Sequence, residues 1–137
     1  MRYDLIVNHF VRDAFMNHKL SIYSPDMWRP LMWVGEAGRA VQLALRADES
    51  LVRNEVFNLG GVDGNYRKGE IGEIIKSQFI PELELEFSGA DRDQRSYRVD
   101  FSKIRDVLNF APSKTLAQAI GDLVQLLESG IIDDPDS

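Results

Sequence analysis

Apolar residues recur along this chain with two periods, and the changes from one to the other mark its elements. In residues 5–15, Leu5, Ile6, Phe10, Val11, Ala14 and Phe15 fall at helical spacings beside Arg12 and Asp13, which predicts an amphipathic helix. Residues 19–23 alternate β-formers with polar residues and predict a strand, Pro25-Asp26 breaks the chain, and the apolar stretch 30–34 predicts a second short strand. Glu36 opens a helix through Arg46 whose expected buried stripe is Ala37, Ala40, Val41, Ala44 and Leu45. After a polar hinge, Asp48-Glu49-Ser50, residues 55–59 read as a buried strand that stops at Gly60-Gly61. Residues 68–79 predict a helix with Ile71, Ile74, Ile75 and Phe79 inward, and 83–87 alternate Leu with Glu as a half-exposed strand does. Asp100 is placed to cap a short helix through Leu108, and 115–128 predict a last amphipathic helix on Leu116, Ala119, Ile120, Leu123 and Leu127.

These elements describe an α/β protein of mixed short strands with four to five helices, without internal repeats. Its 137 residues, 44% of them apolar, suit one domain over residues 1–130, and the acidic tail 131–137 is expected to be disordered. A net charge of −6 with no local basic patch argues against nucleic acid as a partner. The absence of cysteine excludes disulfides and thiolate chemistry within the chain and fits a reducing compartment. No apolar run approaches the ~18–20 residues that span a bilayer, and Met1-Arg2-Tyr3-Asp4 lacks the layout of a signal peptide, so a soluble cytoplasmic protein is expected.

Candidate chemistry is sparse. Arg29 follows a Trp, precedes a Pro and sits where a turn enters a strand, so its planar fork could point outward and bind two oxygens of a phosphate; it could equally stack on Trp28 or pair with Asp26. Arg95 lies in a run of alternating Asp and Arg, 91–98, which favours mutual pairing on a solvated surface. Gly60-Gly61-Val62-Asp63-Gly64 follows a strand, but its spacing fails the dinucleotide fingerprint and reads as a turn. His9 and His18 have no companions at ligand spacing, no metal site is expected, and neither a nucleophile elbow nor an acid–base pair can be named.

Taken in order, the motifs resemble the C-terminal portion of extended short-chain dehydrogenases/reductases, the NAD-dependent epimerase/dehydratase family. Trp28-Arg29-Pro30-Leu31-Met32-Trp33-Val34 is similar to the family's Arg-x-Φ-Φ-[His/Tyr]-Val segment, Φ being apolar. Val56-Phe57-Asn58-Leu59-Gly60 is similar to its Φ-[Tyr/Phe]-Asn-Φ-Gly strand end, and residues 97–104 to the run into its Lys-Ile helix. The resemblance implies the substrate-binding part of that fold without its Rossmann domain. It implies a nucleotide-diphosphate sugar as ligand, with Arg29 and Arg95 as a two-armed diphosphate clamp and Tyr23 beside the base. Asp4 falls at a position often held by a substrate-binding Asn; an Asp there repels a diphosphate.

The departures are equally specific. The loop Ser24-Pro25-Asp26-Met27 is about one residue short and has lost its glycines, Trp33 replaces His or Tyr, and Gly35-Glu36-Ala37-Gly38 replaces a segment that carries an Asp. The residues four beyond Tyr3, Tyr23, Tyr66 and Tyr97 are Val7, Met27, Glu70 and Phe101, so no Tyr-x-x-x-Lys exists in the chain. Intact members use NAD(P) and that pair, so the resemblance implies that this chain binds no cofactor, contributes no catalytic residue and is inactive alone. A fragment or truncated form is the expectation, with a stand-alone binding or regulatory module, or one subunit of a split enzyme with a separate Rossmann chain, as alternatives. Apolar surface left uncovered would favour self-association, element exchange being one route.

Overall fold

In a computed structural model, described for residues 4–89 and 95–131, the chain alternates short helices and strands in two compact units. The first comprises Met1–Met27, Arg67–Arg95 and Ala117–Ser137, and the second Trp28–Tyr66 and Ser96–Leu116.

In the first unit, α1 (Ile6–Asn17) leads into β1 (Lys19–Tyr23) through His18, which adopts a left-handed conformation and donates its N–H to the Ala14 carbonyl, closing the helix. β1 pairs in parallel with β4 (Glu84–Ser88), Lys19 opposite Glu84 and Tyr23 opposite Ser88. A parallel partner requires a long return path, and α4 (Lys68–Gln78) lies within it. Side-chain alternation then sorts the pair: Leu20 and Ile22 are buried, whereas Lys19 and Ser21 face out and bond Glu86 at 2.7 and 3.1 Å. α1 and α4 pack on β1 and on each other, burying Phe10, Val11, Ala14, Ile71 and Ile75. The approach of α4 to β1 depends on Gly72, where an added Cβ would stand 2.4 Å from Ile22 Cδ1. α6 (Leu116–Glu128) adds Ile120 and Val124 to the buried set.

The second unit begins with β2 (Trp28–Pro30), which pairs with β3 (Asn65–Arg67), whose last residue opens the return to the first unit. The expected strand 30–34 is thus displaced toward the N-terminus. Pro30 has no N–H to extend a ladder, and the Trp33 and Val34 carbonyls accept from Glu36 and Ala37, turning the chain into α2 (Gly35–Arg46). α2 packs through Ala40, Leu43, Ala44 and Ala47 on α5 (Ser102–Leu108) and Phe110. The expected stripe through Val41 and Leu45 is therefore corrected: both are exposed, and Leu43 and Ala47 take their place.

The expected hinge at 48–50 is instead capped and helical. Asp48 accepts the Ser50 N–H at 2.8 Å and starts α3 (Glu49–Val52), which raises the number of helices among the described residues to six. Residues 55–59 are extended with Phe57 and Leu59 turned toward the core, as their alternation requires, but they join neither two-stranded sheet; Val56 is exposed. Lys103 holds this segment through Glu55 at 2.6 Å and lies 5.0 Å from the Phe57 ring centre. Asp100 accepts the Ser102 N–H at 2.8 Å, but the residue at the N-cap of α5 is Phe101, without a side-chain bond, so the expected Asp100 cap sits one residue too early.

Candidate functional site

The most specific polar arrangement around a residue singled out by sequence is built on Trp28. Its backbone N–H donates to Ser96 Oγ at 3.1 Å. On β3, the Asn65 side chain makes two bonds to Val99: Nδ2 donates to the carbonyl at 3.0 Å and Oδ1 accepts the N–H at 2.8 Å. A side-chain amide that meets a backbone amide this way acts as a substitute strand, so segment 96–99 is held against β2 and β3. One consequence is that the Arg98 guanidinium lies over the Trp28 indole, 5.2 Å from its centre. Arg29 Nη1 donates to the Trp28 carbonyl at 2.9 Å. Trp28 therefore gathers two guanidinium groups, one on its ring and one on its backbone, within a single unit.

Arg29 belongs to the second unit, whereas Asp4, Tyr23 and Arg95 belong to the first, so the four do not gather within one unit. Tyr23 ends β1 half exposed, and Asp4 and Arg95 are exposed. The indole stack considered for Arg29 is made by Arg98, and Asp26 pairs with Arg67 at 3.7 Å. Residues 91–94 of the charged run lie outside the described residues, as do Met1 to Tyr3 and the tail from 132 onward. Arg98 and Asn65 carried no distinguishing spacing in sequence. The one available signal was the alternation Ser96, Arg98 against Tyr97, Val99, which identifies an extended segment with two faces.

A second polar centre in the same unit surrounds Glu36, which is fully buried at the start of α2. Its Oε1 accepts the Ser113 N–H and hydroxyl, both at 2.7 Å, and the Lys114 N–H at 3.2 Å; its Oε2 accepts from Arg39. Arg39 also donates to the Ala111 carbonyl at 3.0 Å and lies over Phe110. Burial pushes the Glu36 carboxyl up, but the bonds from Ser113 and Arg39, together with the Arg39 charge, outweigh it and hold the pKa below the ordinary glutamate range. With its acceptor sites filled by the chain's own donors and no access to water, Glu36 ties α2 to the loop before α6 and is not a general base.

The family resemblance implies NAD(P) in intact relatives, and the glycines of 60–64 are the residues of this chain that could cradle its phosphates. Their geometry does not fit. A Cβ on Gly60 would lie 2.5 Å from the Phe101 ring, one on Gly61 2.7 Å from Pro112, and one on Gly64 2.9 Å from the Gly61 carbonyl. The Gly64 N–H closes a turn onto that carbonyl at 2.8 Å, so these glycines serve internal packing and present no open row of N–H donors. Among the described residues no group of three or more His, Asp or Glu could hold a metal ion, and no helix is long and apolar enough to cross a membrane.

No family model and no curated protein matches the chain. Solved structures do. L-threonine dehydrogenase from Phytophthora infestans matches with a TM-score of 0.76 at 17% identity, over 92% of this chain and 42% of its own. UDP-N-acetylglucosamine 4-epimerase from Bacillus cereus matches with 0.75 at 21% identity, over 93% and 44%. An NAD-dependent NDP-hexosamine 5,6-dehydratase of tunicamycin biosynthesis matches with 0.75 at 12% identity, over 97% and 43%. The chain thus spans about four-tenths of the length of the solved structures it matches, and over that span it has the mixed α/β fold of short-chain dehydrogenase/reductase proteins.

Proposed function

We propose that this chain is the substrate-binding part of an NAD(P)-dependent enzyme that epimerises or dehydrates a nucleotide-diphosphate sugar, and that it has no turnover alone. The fold is shared with threonine dehydrogenases as well as sugar-nucleotide enzymes, so the fold does not choose the ligand. The observation that carries the choice is the pair of guanidiniums at Trp28. A diphosphate offers several anionic oxygens to two cationic forks, whereas a zwitterionic amino acid offers one carboxylate beside an ammonium that the same forks repel. In this reading Arg29 is the primary diphosphate ligand and Arg98 the other fork at Trp28; Arg95, Tyr23 and Asp4, which the family resemblance implies as second arm, neighbour of the base and substrate-binding position, belong to the first unit. The lack of a Tyr-x-x-x-Lys pair removes the proton-transfer groups, so hydride chemistry requires residues this chain does not supply.

Titration calorimetry with UDP, GDP and their sugars tests the assignment. Binding that is lost in Arg29→Ala and untouched by L-threonine supports it; a folded chain that binds no nucleoside diphosphate refutes it. Turnover of a sugar nucleotide by the isolated chain with NAD would refute the claim that its chemistry lies elsewhere.

A further inference from the structure

Arg98 is exposed and yet held in place. Its guanidinium lies over the Trp28 indole, 5.2 Å from the ring centre. The backbone on both sides of it is also fixed. Two residues earlier, Ser96 Oγ accepts the Trp28 N–H at 3.1 Å, and one residue later Val99 is bonded twice to the Asn65 amide, at 3.0 and 2.8 Å. A stack engages the face of a guanidinium, whereas its N–H groups lie in the plane and point outward from the edge. Those edge donors have no acceptor among the described residues, although Arg39, Arg53, Arg67 and Arg105 each meet a carboxylate in this chain of net charge −6. A mobile arginine loses rotamer freedom when it grips a ligand. Arg98 has lost much of that freedom already, so an anion that reaches it gains the same hydrogen bonds at a smaller entropic cost.

We infer that Arg98 makes the site select a nucleoside diphosphate over the corresponding monophosphate, with Asn65 and Ser96 as positioning residues. The inference rests on the reading of Arg29 as the first phosphate ligand and adds a division of labour between the two cations. Arg29 is anchored on the Trp28 carbonyl at 2.9 Å and Arg98 on the Trp28 ring, so they stand at different places on one residue and are not interchangeable. A monophosphate held at Arg29 leaves Arg98 facing water; a second phosphate extends the anion to the waiting edge donors. The stack adds to this preference, because an indole over one face displaces water from the guanidinium and lowers the local dielectric, which strengthens its attraction for an anion at the edge. Lysine in the same place would supply a point charge without the flat fork that the indole orients. Asn65 and Ser96 act without touching the ligand, by fixing the short segment from which Arg98 reaches the ring.

Titration calorimetry of the chain with UDP and UMP, and with GDP and GMP, reads the preference as a ratio of dissociation constants. The wild type should bind the diphosphate ~10-fold or more tightly than the monophosphate, the effect of about one charge-assisted contact. Arg98→Ala should bring the ratio close to one by weakening the diphosphate alone, Arg98→Lys should recover only part of it, and Arg29→Ala should weaken both ligands. Asn65→Ala should lower the ratio with monophosphate affinity unchanged, a split that a general loss of stability would not produce; circular dichroism checks that each variant is folded. A wild-type chain that binds UDP or GDP with a ratio that Arg98→Ala leaves unchanged overturns the inference and leaves the reading of Arg29 standing. A chain that binds neither diphosphate overturns both. A ratio that falls in Arg98→Ala and not in Asn65→Ala removes Asn65 from its positioning role, and full recovery in Arg98→Lys would show that charge alone makes the selection and overturn the held fork.

Discussion

Replacing Glu36 by alanine should destabilise the second unit far more than any surface substitution. The carboxylate accepts two backbone N–H groups and a hydroxyl on one oxygen and Arg39 on the other, in a site from which water is excluded. Each backbone donor left without an acceptor costs about 1–3 kcal/mol. Water entering the space of the lost side chain brings both toward the low end, and the Ser113 hydroxyl can turn to solvent. The Arg39 side chain is 42% exposed, so its share is that of a surface ion pair, about 1 kcal/mol or less. The sum is about 3 kcal/mol, against a total stability of about 5–15 kcal/mol for a domain of this kind.

Both tryptophans, Trp28 and Trp33, belong to the second unit, so urea unfolding followed by tryptophan fluorescence reads that unit directly. With a slope of about 1–3 kcal/mol per molar urea, the midpoint of Glu36→Ala should fall by about 1–3 M. Arg39→Ala should move it much less, since the loop amides keep their acceptor. A Glu36→Ala midpoint equivalent to less than about 0.5 kcal/mol, or an Arg39→Ala effect as large as that of Glu36→Ala, would refute the assignment of Glu36 as the tie between α2 and the loop.

Because the folded-state pKa of Glu36 is depressed, the unfolded chain takes up the proton first; its contribution is complete above the unfolded value, about 4.3, and is lost as pH falls through the lower folded value. Fluorescence-detected stability of the wild type should therefore drop more steeply below about pH 5 than that of Glu36→Gln, and parallel profiles would contradict the depressed value. Gly72→Ala should lower the melting temperature of the first unit despite better helix propensity, because its Cβ meets the buried Ile22 side chain at 2.4 Å and overpacking costs about 1–3 kcal/mol; a raised melting temperature would mean that Ile22 moves aside freely. Asn65→Ala removes both bonds to Val99, worth about 1 kcal/mol each, and should shift Trp28 emission as Arg98 leaves its ring, whereas an unchanged spectrum would show that Ser96 suffices to hold the segment.

Much of the fold was legible because periodicity reports on burial. β1 was placed by its alternation, and α4 by the spacing of Ile71 and Ile75. The elements that differed are those where a backbone bond, not a side-chain pattern, decides. Residues 30–34 have the composition of a strand, but Pro30 withholds a donor and the 33–34 carbonyls are taken by the helix that follows. Asp48 became a cap because a carboxylate two residues before a free N–H makes a local bond that composition alone does not distinguish from a hinge.

The site was legible in its types and not in its partners. Arg29 could be chosen from sequence because Trp and Pro flank it, but the guanidinium on the Trp28 ring is that of Arg98, held there by two bonds between Asn65 and Val99, residues 34 positions apart. A single chain carries no record of such a pairing. The same limit explains Glu36, which looks in sequence like any acidic residue in a first helical turn, and whose burial comes from a loop 77 positions away. It also explains α2. Val41 and Leu45 fit the helical period as well as Leu43 and Ala47 do, and periodicity fixes how many faces are apolar without saying which one meets the core. The chain offers both faces, and only the packing of Ile104, Leu108 and Phe110 selects one, leaving Val41 and Leu45 on the exposed side.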